Sequence, residues 1–67
     1  MAAFGETLRK IREKEGMTQT KLAEMVDVNR SMISAIERGS KPASFPLAEK
    51  IAEALGCSLD DLAGKKN

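Results

Sequence analysis

Histidine, tryptophan and tyrosine are absent from this 67-residue chain, and cysteine occurs once, as Cys57. A lone cysteine without histidine excludes an internal disulfide and leaves no Cys/His set that could close a zinc site, so no metal is expected and a reducing compartment fits. The only aromatics are Phe4 and Phe45, which removes the stacking platforms that single-strand and RNA-binding modules use. Without histidine, a glycine-rich phosphate loop or depth for a water-excluding pocket, an enzyme is not expected, no cofactor is implied and no small-molecule ligand is evident. Long apolar runs are missing too. The stretch from Met1 to Phe4 is far short of a signal-peptide core, and Glu6, Glu13 and Glu15 speak against an acid-poor transit peptide. The expectation is a cytoplasmic protein with no membrane partner.

What is present describes one small domain. A hydrophobic fraction of 42% beside 31% charged residues is too apolar for a disordered tail and too charged for a membrane span. A chain of this size buries only about 60% of the surface its unfolded form exposes, so its core is thin and self-association is expected.

Apolar residues recur at spacings of three and four, and no stretch alternates, which predicts an all-α fold of five helices and no strand. Phe4, Leu8 and Ile11 share one stripe of a first helix, about Ala3 to Glu15, that Gly16 ends in the left-handed conformation. Thr18 stands where an N-cap belongs and Met17 is spaced to pack on Leu22, giving a second helix over 19–26. Asn29 repeats the device with Val28 and Ile33, and Gly39 closes a third helix over 30–38. After the linker 39–43, Ser44 caps a fourth helix that tolerates Pro46 in its first turn and buries Leu47, Ala48, Ile51, Ala52 and Leu55. Gly56 ends it, and Ser58 with Asp61 forms a capping box for a short fifth helix, stapled by Cys57 and Leu62. The domain spans 1–62 and the tail 63–67 should fray.

The third helix separates its faces cleanly. With Arg30 at 0° on the helical wheel, Ser34 falls at about 40°, Arg38 at about 80°, Ser31 at about 100° and Ala35 at about 140°. Ile36 and Ile33 lie opposite at about 240° and 300°, and Glu37 at about 340° sits beside them, off the exposed strip. A strip of small residues between two guanidinium groups allows close approach and supplies the two-donor fork that matches a guanine edge or a phosphate, so it suits a DNA major groove. Residues 28–44 carry three positive groups and one negative, whereas 1–27 carry five of each and 45–67 carry three positive and four negative. Net charge of +1 predicts weak nonspecific DNA affinity, so tight binding needs specific contacts or two copies.

Residues 17–39, MTQTKLAEMVDVNRSMISAIERG, with 51–62, IAEALGCSLDDL, closely resemble the helix-turn-helix of the lambda-repressor and Cro-like (XRE-type) family. The resemblance implies a compact five-helix domain whose third helix enters the major groove, as a homodimer on an inverted-repeat operator in double-stranded DNA. Position by position, it implies that Gln19 meets the DNA backbone and braces the reading helix. Arg30, Ser31 and Ala35 match base-facing positions; Asn29, Met32 and Ser34 match positions that touch sugar or phosphate; and Lys41 lies in the loop that follows the backbone. Arg38 is a phosphate candidate from its place on the wheel. Arg12 and Glu37 resemble an ion pair that ties helix 1 to helix 3. Asp27 departs from the pattern, standing where the family has Gly, and it places an acid near the DNA side.

Other features have plainer readings. Met17, Met25 and Met32 are taken as core filler and Cys57 as a packed thiol, while Lys65 and Lys66 add at most a diffuse attraction. Leu59 and Leu62 either close the core or form a dimer contact. The function expected is a transcriptional regulator, a repressor or autoregulatory controller, nucleoid-associated when bound. The alternative is an antitoxin-like or anti-repressor interaction module with the same fold and little DNA affinity, which near-neutral charge and Asp27 favour and the arginine-flanked strip disfavours.

Overall fold

The computed structural model describes residues 4–64, which form five helices: α1 (Phe4–Lys14), α2 (Gln19–Met25), α3 (Arg30–Arg38), α4 (Phe45–Leu55) and α5 (Leu59–Leu62). Each of the four predicted side-chain caps is in place. Thr18 Oγ1 accepts from Lys21 N at 3.0 Å, Asn29 Oδ1 from Met32 N at 2.9 Å, and Ser44 Oγ from Leu47 N at 3.3 Å. Ser58 accepts from Asp61 N at 3.0 Å while Asp61 Oδ2 accepts from Ser58 N at 3.1 Å, the reciprocal pair of a capping box. Such caps matter here because helices of four to eleven residues are too short to persist without them and without tertiary packing. The predicted second helix ends one residue early, with Val26 as its cap. The predicted start of helix 1 at Ala3, and Lys65 and Lys66 of the tail, lie outside the described residues.

Leu8, Leu22, Ile33, Ile36, Ile51 and Leu62 are fully buried and draw all five helices onto one core, with Ile51, Ala52 and Leu55 contributing from α4. Met17, Val28 and Cys57, the predicted staple residues, pack against it from the loops. One expectation is corrected and one open choice is narrowed. Met25 is 49% exposed: Leu22, Ala23 and Val26 make the buried face of this segment, and Met25 lies about 60° outside it, on the other side of Leu22. Leu62 is fully buried, so it closes the core and has no surface to give a partner; Leu59 is only half-buried.

Two junctions set the orientation of α3. Between α2 and α3 the chain turns at Asp27, whose φ of 61° makes it the sole non-glycine in the left-handed region among the described residues. Val28 N then donates to Ala23 O at 2.9 Å, closing the turn. At the other end, α1 crosses α3 so closely that a Cβ on Gly5 would lie 2.1 Å from Ile36 O and 2.6 Å from Glu37 O. The contact is with backbone carbonyls of the last turn of α3, so only a residue without a side chain fits.

Candidate nucleic-acid interface

The polar side of α3 is presented to solvent as its periodicity predicts. Arg30, Ser31 and Arg38 are exposed, Ser34 and Ala35 are half-buried, and Ile33 and Ile36 are in the core. Arg30, Ser34 and Arg38 follow one another at steps of four residues, so the row runs about 12 Å along the helix axis. Next to it, Asn29, Ser31, Met32, Ala35 and Lys41 line one shallow depression of about 160 Å³. The loop lysine and the start of α3 therefore meet on a single surface.

The side chains on this surface are engaged with one another. Arg38 Nη1 donates to Ser34 Oγ at 2.7 Å, which holds the arginine against its own helix. Ser31 Oγ donates to Asn29 Oδ1 at 2.8 Å, and the same oxygen caps α3. Asn29 therefore has its carbonyl occupied, which leaves its amino group as the end that can donate to a partner. Ser40 Oγ donates to Ala35 O at 3.2 Å, seating the start of the loop that carries Lys41.

Behind the strip lies a buried charge network. Arg12 and Glu37 pair through Nε and Oε2 at 2.6 Å and Nη2 and Oε1 at 3.1 Å, with side chains only 10% and 4% exposed. Arg12 Nη1 also donates to Met17 O at 2.7 Å, so the guanidinium binds α1 to α3 and to the loop before α2. The hydrogen bond to Glu37 raises the Arg12 pKa above its ordinary value, outweighing desolvation, and the group stays ionised. Gln19 Nε2 donates to Glu37 Oε1 at 3.0 Å, and Arg30 Nη1 donates to Gln19 Oε1 at 3.3 Å. Among the described residues no buried side-chain polar atom lacks a partner.

The Arg12 and Glu37 pair that the resemblance implied and two candidates for the interface, Gln19 and Arg30, are thus one connected set. The link from Gln19 to Glu37 was not legible, because the two are 18 residues apart and on different helices. Periodicity did place Glu37 beside the buried stripe, and that was the available signal. Asp27 is exposed at the turn before α3. Away from this surface, no helix among the described residues is long and apolar enough to cross a membrane. No cluster of His, Cys, Asp or Glu that could hold a metal occurs among them.

A helix-turn-helix family model matches residues 8–62, from the middle of α1 through α5. Control protein C.BamHI of Bacillus amyloliquefaciens is 47% identical over 60 residues, covering 88% of this chain and 74% of that protein. The structure of the restriction-modification controller protein C.AhdI from Aeromonas hydrophila is similar with a TM-score of 0.85 at 34% identity, over 88% of this chain and 89% of that one. The P22 c2 repressor in complex with a synthetic operator matches with a TM-score of 0.87 at 32% identity, over 92% of this chain and 94% of that one. The class defined by fold and surface is the helix-turn-helix DNA-binding domain, and this chain belongs to the helix-turn-helix family. It is a DNA-binding transcriptional regulator.

Proposed function

We propose that this regulator is a controller-type protein that binds an inverted-repeat operator as a homodimer and reads each half-site in the major groove with α3. The observation that carries this reading is the exposed arginine-flanked strip of small residues on α3, with Arg30 already bonded to Gln19 at 3.3 Å. Arg30 supplies donors for guanine, and Ala35 an apolar neighbour for a thymine methyl. Gln19, the free amino group of Asn29, Ser34, Arg38 and Lys41 contact the backbone and set the register. Similarity to C.BamHI and C.AhdI supports a role in controlling a restriction-modification operon, its own gene included. Self-association fits a thin core, and Leu59, half-buried on α5, is the candidate contact from that helix. The protein acts in the cytoplasm, at the nucleoid.

Selection of sites from a randomised duplex pool at moderate salt tests the reading. An enriched inverted repeat, with half-site centres about one helical turn apart, is the expected result. A folded protein that enriches no sequence refutes it and turns the search toward protein partners.

A further inference from the structure

We propose that Glu37 is a positioning residue for base recognition: held by Arg12, it fixes the direction of the Gln19 amide and, through it, the guanidinium of Arg30. This rests on the reading of α3 as the base-contacting helix. A carboxylate only accepts hydrogen bonds, so of the two ends of the Gln19 side chain only the amino end can face Glu37 Oε1, at 3.0 Å. The carbonyl end is thereby turned toward Arg30, whose Nη1 lies 3.3 Å away. A reversed amide would set oxygen against oxygen at Glu37 and donor against donor at Arg30. The direction of an amide is set by its surroundings, and here the surroundings are a buried carboxylate that Arg12 holds by two bonds.

The route is indirect in space. Glu37 lies seven residues beyond Arg30, about 10 Å along α3, and reaches it only by way of α2. It joins the buried junction of α1 and α3 to an exposed arginine through one half-buried glutamine. Gln19 engages one of the five guanidinium N–H donors, leaving the Nε and Nη2 edge free for a two-donor contact with guanine O6 and N7. A guanidinium free to swing can instead meet a phosphate, an adenine N7 or a thymine O4, each of which takes a single donor. Restraint before DNA arrives lowers the ordering cost of the correct contact and denies those alternatives. Glu37 therefore contributes to sequence preference without touching DNA.

The experiment uses the full chain and the duplex obtained by site selection, with each base pair of a half-site changed in turn and affinities measured by competition. Arg30→Ala first identifies the position that Arg30 reads. The double variant Arg12→Met/Glu37→Gln removes both buried charges together, keeps side-chain volume, and gives Gln19 a neighbour that accepts either amide direction. The expected result is unchanged affinity for nonspecific duplex and a loss of discrimination at the Arg30 position alone, by about fivefold or more. Equal weakening on all sequences, with discrimination at that position intact and a normal thermal transition, overturns the proposal and leaves the network a structural tie. If the double variant does not fold, Gln19→Met removes both amide bonds at a half-buried site, and retained discrimination at the Arg30 position overturns the proposal equally. If Arg30→Ala alters preference at no position, the base-contact reading fails at its root and the proposal with it.

Discussion

Gly5→Ala should destabilise the protein although alanine is the better helix former. On propensity alone the change would stabilise α1 by at most about 1 kcal/mol. The structure reverses the sign. A Cβ at position 5 would sit 2.1 Å from Ile36 O, 2.6 Å from Glu37 O and 2.8 Å from Glu37 C, all backbone atoms of α3. Ordinary carbon–oxygen approaches are about 3.3–3.6 Å, so α1 would have to withdraw from α3 by more than about 1 Å. No flexible side chain can yield, and overpacking of a rigid contact costs about 1–3 kcal/mol, the upper end applying here. Subtracting the propensity gain leaves a net loss of about 2 kcal/mol. In a domain of this size each kcal/mol moves Tm by about 4–8 °C, so the transition should fall by roughly 8–16 °C. Circular dichroism during heating, with urea unfolding for the free energy, measures it. An unchanged or higher Tm refutes the close approach of α1 and α3, and with it the packing that brings Arg12 to Glu37.

Asp27→Gly should raise stability by about 0.5–1 kcal/mol, because relief of the left-handed strain at φ 61° exceeds the entropy cost of the added glycine; an unaltered urea midpoint would show that Asp27 is not strained. Removing one member of the buried ion pair, by Arg12→Ala or Glu37→Ala, should cost about 3–5 kcal/mol, since side chains 10% and 4% exposed leave the survivor unpaired. Arg12→Met/Glu37→Met should cost far less than either, and a double variant as unstable as the single ones contradicts this. Burial, then Asp61 and Glu15, raise the Cys57 thiol above its ordinary range, so less thiolate is present at pH 8 than in the unfolded chain. Thiol-reactive dyes should label Cys57 more slowly in the native protein than in urea, and equal rates would count against that burial. Because the folded-state value is the higher one, the associated stability is complete below the unfolded-state pKa and declines as pH rises through the folded-state value, a decline that Cys57→Ala should remove.

The helices were legible because their signals are local. A cap acts over three residues and a staple over five, so Thr18, Asn29, Ser44 and Ser58 could be read directly, and all four caps form. The exposed strip of α3 was legible for the same reason, since nine residues of one helix fix their own angular order. Periodicity gives the face on which a residue lies and says nothing of how far the neighbouring helix extends over it. Met25 lies off the face that Leu22, Ala23 and Val26 bury and is exposed, and Leu62 proves to be core where sequence left a dimer contact equally open. Gly5 carried no sequence signal, because a glycine in the first turn of a helix looks the same whether its neighbour is water or the carbonyls of α3. The Arg12 and Glu37 pair was legible only through family resemblance, being 25 residues apart. Its extension to Gln19 and Arg30 depends on three helix ends meeting, which no spacing along one chain encodes.

The burial of Glu37 makes physical sense once the charge of the segment proposed to face DNA is considered. With three positive groups in residues 28–44, nonspecific attraction is small, and any acid on that surface would weaken it further. Glu37 is the only acid there, and its pairing with Arg12 keeps it buried beside the strip and off its exposed surface. An apolar residue at 37, matched by one at 12, would remove the acid as effectively at little cost in stability, because a buried ion pair gains little over hydrophobic packing. Stability alone therefore does not account for the pair. What an apolar pair could not supply is an acceptor of fixed direction at the end of Gln19, and a protein with few phosphate-neutralising groups must obtain its selectivity from how those few donors are aimed.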